Sequence, residues 1–304
     1  MSSALSAKHF HDEQAAYDYV EARIWPEGPV CPHCGGLERV GKLQGKSTRV
    51  GVWKCYQCRK PFTVKIGTIF EDSKVAMHLW LQAMYLIAGS KKGISSNQLH
   101  RILGVTLKTA WFMSHRIREA MLDNSAWPLG GLGAAVEADE TFIGREKGRE
   151  IGKGFHHKFK VFALVERGGR SRAMVVEGVN SKTLRPLLLE NVNRLSKLYT
   201  DEAYGYRDAG RYFYQHAVVN HSAGEYGRGK AHTNTIEGYF SIFKRGMKGI
   251  YQHCQKKHLH RYLAEFDFRY SNRVALGYND ADRADALLKG VIGKRLTYQT
   301  TGAA

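Results

Sequence analysis

No stretch of this 304-residue chain is long and apolar enough to cross a membrane as a helix. The longest uncharged run, residues 75–90, is 16 residues long and includes His78 and Gln82, whereas a spanning helix needs roughly 20 apolar residues. It reads as a buried helix. The start of the chain has no basic segment followed by an apolar core, so no secretory leader is read and a cytosolic location is expected. Acidic residues are scarce: 28 against 46 basic ones, a formal net charge of +18. That imbalance argues against an acidic small molecule as partner and for a polyanion such as nucleic acid, with a basic membrane-surface protein as the competing class. A tyrosine or serine recombinase would need a nucleophile beside an arginine cluster, and no such constellation stands out. What the chain does have is 43% hydrophobic content, with 16 Tyr, 13 Phe and 5 Trp. This is enough for one large domain with small appendages.

Cysteine is also rare, but four of the five residues fall as Cys31-x2-Cys34 and Cys55-x2-Cys58 with 20 residues between the pairs. This is the spacing of a four-thiolate zinc site; a disulfide pair is the alternative. Gly35-Gly36 after the first pair permits the positive-φ turn of a metal knuckle. Residues 49–54 and 61–64 alternate like strands, so a small zinc ribbon that the metal itself stabilises is expected. Cys254, left over, reads as a structural thiol.

From residue 73 to 121 the pattern is helical, punctuated by Gly89, Gly93 and Gly104, and three helices fit. Ser95 or Ser96 can cap one helix, Gly104 can make a turn, and Thr106 can cap the next. This is a helix-turn-helix layout. Its second helix would set Lys108, His115, Arg116 and Arg118 around an apolar stripe of Ala110, Trp111, Ser114, Ile117 and Met121, so that a basic face enters a DNA groove. A plain helical hairpin with solvated charges is the other reading.

Beyond the linker at 130–133 the texture becomes β-rich, with strands expected at 135–143, 160–166, 172–179, 197–200 and 217–220 and a helix at 181–195. That order indicates a mixed α/β layer fold. Three acids lie in three of its elements: Asp139 in a strand, Asp201 after an apolar strand, and Glu237 in a helical run 35 residues later. Converging, they would cage two divalent ions, and hard oxygen donors suit magnesium or manganese. Each acid also has a plainer reading: a solvated strand residue for Asp139, a turn cap for Asp201, and a capping-box member with Asn234 for Glu237. Lys244, Arg245 and Lys248 follow Glu237 by two to three turns and would hold backbone phosphates. Between residues 228 and 273 there are ten Lys/Arg against three acids, interleaved with aromatics. His156 and His157 would face opposite ways if extended, so a DNA-facing or structural role is expected rather than joint metal ligation.

Val136-Glu137-Ala138-Asp139-Glu140-Thr141-Phe142, Leu198-Tyr199-Thr200-Asp201 and Asn234-Thr235-Ile236-Glu237-Gly238-Tyr239-Phe240 resemble the three acid motifs of bacterial insertion-sequence transposases of the DDE class, in the group with an N-terminal zinc ribbon. Residues 258–270 resemble that group's closing helix, and the resemblance spans roughly residues 25–273. It implies an α/β fold with a ribonuclease-H-like catalytic core, preceded by the small zinc ribbon and the helical, possibly helix-turn-helix, segment. It also implies two Mg²⁺ or Mn²⁺ on Asp139, Asp201 and Glu237, and structural zinc on Cys31, Cys34, Cys55 and Cys58. The expected domains are 1–70 (N-terminal helix and ribbon), 71–129 (helical DNA-binding segment), 130–278 (catalytic core) and 279–304 (C-terminal tail). The expected activity is that of a DNA transposase: binding double-stranded DNA at the element's terminal inverted repeats, freeing 3′ hydroxyls and joining them to target DNA. It would act as a homodimer or higher assembly at the bacterial nucleoid. The alternatives are a ribonuclease-H-like endonuclease or resolvase without strand transfer, and a non-catalytic zinc-ribbon DNA-binding regulator.

Overall fold

The computed structural model describes residues 3–297 except 124, 126, 153, 207 and 226. The chain forms two compact units, one from Met1–Leu122 together with Asn279–Ala304, the other from Asp123–Tyr278.

In the first unit, α1 (Glu13–Ile24) starts at Asp12, whose carboxylate accepts the Ala15 amide at 2.7 Å, a cap worth about 1 kcal/mol. The ribbon follows as three short antiparallel strands, β1 (Val40–Lys42), β2 (Trp53–Cys55) and β3 (Pro61–Phe62). Its own core is minute: Cys31, Cys55 and Phe62 are buried, with Trp25, Val40 and Trp53 packed against them. Glu21 of α1 ties the ribbon down, accepting from Trp53 Nε1 at 2.9 Å and from Lys42 Nζ at 3.0 Å.

The helical part is α2 (Met77–Gly89), α3 (Ser96–Leu103) and α4 (Leu107–Ala120). The uncharged run does hold a buried helix, α2: Met77, Trp80, Met84 and Ile87 are at most 1% exposed. Ser95 caps α3, Gly104 ends it in the left-handed conformation at φ 65°, and Thr106 caps α4, as the sequence indicates. The C-terminal segment differs from its expected role as a tail. Residues from Asn279 onward carry α8 (Asp280–Lys289), opened by a capping box between Asn279 and Asp282. Asp285 of α8 accepts from Tyr19 OH at 2.5 Å and pairs with Arg23 at 2.6 Å, while Leu287 and Leu288 are buried. Gly290 lies so close to the Ala120 carbonyl that a Cβ there would meet it at 2.4 Å. The segment is therefore an integral part of the first unit.

The second unit is built on a five-stranded sheet of β4 (Ala135–Ile143), β5 (Phe159–Glu166), β6 (Ser171–Val176), β7 (Lys197–Asp201) and β8 (Gln215–Val219). Their order is β6-β5-β4-β7-β8. β4, β5 and β6 form an antiparallel meander, and β7 and β8 add in parallel beside β4. A strand buried on both faces shows little alternation, and β5 is buried at Val161, Phe162, Ala163, Leu164 and Val165 in succession. One face packs on α5 (Ser181–Asn191) through Val136, Ala138, Phe162 and Leu164 against Leu184 and Leu188. The other packs on α6 (Asn234–Gly246) and α7 (Lys256–Ser271) through Ile143, Val161 and Ala163 against Ile236, Phe240, Phe243, Leu263 and Phe266. Fully burying side chains of this size stabilises a fold by about 1.5–3 kcal/mol each, so this unit has a core of its own.

Candidate metal and nucleic-acid site

In the ribbon the two knuckles bring all four thiolates together. Cys31 Sγ lies 3.6 Å from Cys58 Sγ and Cys34 Sγ lies 3.7 Å from Cys55 Sγ, and all four fall within 4.8 Å of one another. A tetrahedral Zn²⁺ with bonds near 2.3 Å requires sulfur–sulfur separations of about 3.8 Å. The set fits structural zinc, and among the described residues it is the only such close ligand cluster.

The acids are positioned by the sheet and by one helix start. β4 pairs in parallel with β7 at Glu137 and Tyr199. The parallel pairing ends two residues before Asp139 and Asp201, and Asp139 stands near enough to Asp201 and Glu237 for both to disfavour its charge. Alternation along β4 puts Glu137, Asp139 and Ile143 on the α6 face. Glu237 lies in the first turn of α6. The start of α6 has no side-chain cap from its own segment; instead Glu137, fully buried, reaches across from β4. Its carboxylate accepts from the Ile236 amide at 2.9 Å and from Thr235 Oγ1 at 2.8 Å. A carboxylate at this end of a helix also complements the dipole. Arg167, at the β5–β6 turn, pairs with Glu137 at 2.5 Å and donates to the carbonyls of Lys230 and His232, each at 2.7 Å. Glu137 and Arg167 thus fix where α6 begins and hence where Glu237 stands.

Around the acids the bonds are local. Asp139 accepts from the Glu140 amide at 2.7 Å and Asp201 from the Ala203 amide at 3.0 Å, so the turn-capping role of Asp201 is real. Glu237 accepts from Thr233 Oγ1 at 2.8 Å, and the helix cap is Thr233 rather than Asn234. His221 Nε2 lies 3.2 Å from Thr233 Oγ1 and 3.7 Å from Glu237 Oε1. The turn carrying His221 is held by Glu202, which accepts the amides of His221 and Ser222 at 2.9 Å each. Burial, with Asp201 and Glu140 adding like charge, pushes Asp139 up to about 8. Burial also raises Asp201 and Glu140, the latter accepting a hydrogen bond from the buried Tyr206 hydroxyl. Among the described residues no lysine or arginine pairs with Asp139, Asp201 or Glu237. Neighbouring hard carboxylates with no lysine or arginine paired to them have the donor chemistry of a divalent-cation site.

Lys244, Arg245 and Lys248 are exposed beyond Glu237, as a phosphate-holding role requires, and Lys108 is exposed at the start of α4. Arg116 and Arg118 correct the expected basic face of α4. Arg116, 5% exposed, donates to the carbonyls of Ile69, Glu71 and Leu296 at 2.7, 2.7 and 2.9 Å. Arg118, 1% exposed, donates to Ser114 at 3.1 Å. Both guanidinium groups serve the interior and are withdrawn from DNA, His115 is buried with them, and Trp111, expected in the apolar stripe, is 37% exposed. His157 is buried and His156 exposed, in the turn before β5 rather than in a strand. Cys254 packs on the α6–α7 core apart from the zinc ligands. Glu137, Arg167, Thr233 and His221 went unremarked as site residues. Only Glu137 left a trace in the sequence, by sharing a strand face with Asp139.

A family model for the ISXO2-like transposase domain matches residues 128–271. A second, for a transposase zinc-ribbon domain, matches residues 11–61. The chain is also 30% identical over 283 residues to the uncharacterized protein in transposable element ISH50 of Halobacterium salinarum, a match covering 87% of this chain and 93% of the relative.

Proposed function

The chain belongs to the ISXO2-like transposase family, in the form that carries an N-terminal transposase zinc ribbon, and from that premise we propose a metal-dependent DNA-cutting and DNA-joining enzyme. The observation that carries this reading is the nearness of Asp201 and Glu237 to the buried Asp139, whose proton affinity both raise, with no lysine or arginine paired to any of the three among the described residues. The strand order, an antiparallel meander extended by two parallel strands, supports the ribonuclease-H-like reading. Asp139, Asp201 and Glu237 would hold two magnesium or manganese ions. Such ions, when bound, offset charge on the attacking and leaving oxygens of a phosphodiester.

The protein's own residues position. Lys244, Arg245 and Lys248 hold backbone phosphates beside the carboxylates, and Thr233 and His221 orient Glu237. Glu137 and Arg167 keep the start of α6 in place. Both chemical steps are in-line displacements, first by water and then by the freed 3′ hydroxyl on target DNA, and neither needs a covalent enzyme intermediate. Lys108, at the exposed first turn of α4, contributes to holding the element's inverted repeats. Pairing two element ends calls for at least two copies of the chain.

The test is to incubate wild-type protein and Asp139→Asn with Mg²⁺ and the DNA flanking the gene, then map the ends. Cuts at the repeat tips with joined products, absent in the variant, are expected. Cleavage without joining would leave a nuclease, and specific binding without either a regulator.

A further inference from the structure

Immediately beyond the acids, the end of β4 borders a cavity of about 660 Å³ within the second unit, in the range of roughly 300–1,000 Å³ typical of small-ligand sites. Glu140 and Thr141, the residues next along the strand from Asp139, form one wall. Phe142 and Phe155 form another, their rings stacked at 4.8 Å and 22°. Phe155 remains 53% exposed, an unusual state for a phenylalanine whose ring is already held against a neighbour. Lys158 lies 5.0 Å from the centre of that ring, and Lys244 and Lys248 of the α6 segment complete the lining. None of these three lysines has an ion-pair partner among the described residues. At Gln252 the cavity adjoins a second hollow of about 800 Å³ that carries Lys147 and Lys257.

The rim is itself strained. Residues Met247–Tyr251 form a π-turn, and Gln252 sits at φ 37°, ψ −57°, where a side chain is costly. π-turns and strained residues cluster at functional sites.

We propose that this cavity takes one unpaired nucleotide from the DNA end, its base stacked on Phe155 and its phosphates on Lys158, Lys244 and Lys248. The inference rests on the transposase reading. The cations select a polyanion, and an open aromatic face accepts any base, since every base has a π-face. The size excludes a duplex, whose major groove alone is about 12 Å wide. A nucleotide next to the cut phosphate must therefore leave the helix to enter, as bases do when enzymes extrude them into pockets. The acid at Glu140 does not oppose this, because Tyr206 engages its carboxylate.

The test uses full-length protein, Mg²⁺ and duplexes from the DNA flanking the gene, each with 2-aminopurine at one position near the cut, with fluorescence and cleavage followed together. With saturating wild-type protein, a several-fold fluorescence rise is expected at one or two positions adjoining the cut. Phe155→Ala removes most of that rise, and Phe155→Tyr, which keeps an aromatic face, retains it. If wild-type protein binds and cuts but no position brightens, the pocket assignment is wrong and the transposase reading stands. A rise that persists in Phe155→Ala overturns the stacking role. Absence of both binding and cutting overturns the transposase reading and this inference with it.

Discussion

The ribbon, whose four thiolates fit zinc, and the acidic site, proposed to hold divalent ions, would arrive at a metal from opposite directions. In the ribbon the ligands come in pairs two residues apart, the strands are two or three residues long, and three buried side chains make the core. Little besides a bound metal would hold the four sulfurs within 4.8 Å of one another. In the acidic site the proposed ligands come from β4, β7 and α6, each anchored in a large apolar core, and a buried carboxylate, Glu137, aims the helix. There the fold holds like charges together before any cation arrives, at the expense of raised proton affinities. On this account a metal would make the first structure, whereas the second structure would make its metal site.

The sharpest way to break this contrast is to remove the metals. Chelation, or Cys31→Ser, should unfold the ribbon, since structural zinc binding of about 10–16 kcal/mol is itself folding energy. The residue 123–278 unit should keep its circular dichroism and melting transition. Loss of both together would mean that the ribbon supports the whole fold. Next in size, Asp139→Asn or Glu237→Gln should cut DNA cleavage on the order of a thousandfold or more, reflecting several kcal/mol of lost transition-state stabilisation. Thermal stability of Asp139→Asn should hold below pH 8, where the buried carboxyl already carries its proton and the amide nearly matches it in shape. A variant that melts early would show that these acids are structural.

Glu137→Ala should do the reverse of Asp139→Asn. Leaving Arg167 without its buried partner typically costs about 3–5 kcal/mol, so both stability and cleavage should fall; loss of activity at full stability would contradict the bracing role. The smallest effect is on pH. Asp139 carries its proton to about pH 8 in the fold and to about 3.8 unfolded. Between those values the native state binds the extra proton, so stability without divalent ions should decline as pH rises through the window. Metal must displace that proton, so apparent Mn²⁺ affinity should climb by up to about tenfold per pH unit below 8. A flat affinity profile would remove Asp139 from the ligand set.

How much of this could be read from the sequence follows the same division. The ribbon's ligands were legible because a knuckle is local and its spacing is its geometry. Ser95, Gly104 and Thr106 were legible as caps, and the strand Ala135–Ile143 was found at its full extent. The acids were legible as residue types, each in an expected strand or helix. What brings them together, Glu137 reaching 99 residues along the chain to the Ile236 amide, leaves no local pattern. Arg116 and Arg118 misled for a related reason: helical spacing reports which residues share a face, but not that the carbonyls of residues 69, 71 and 296 come to meet that face. The packing of α8 was equally hidden, because its capping box marks a helix without saying where it docks.

The central claim is that Asp139, Asp201 and Glu237 form a divalent-cation site distinct from the zinc. It is tested most directly by titrating full-length protein with Mn²⁺ under electron paramagnetic resonance, with zinc content assayed in parallel for wild type and Asp139→Asn. The account predicts Mn²⁺ binding in the wild type, its loss or severe weakening in the variant, and the same zinc content in both. Equal Mn²⁺ binding by the two proteins would contradict it.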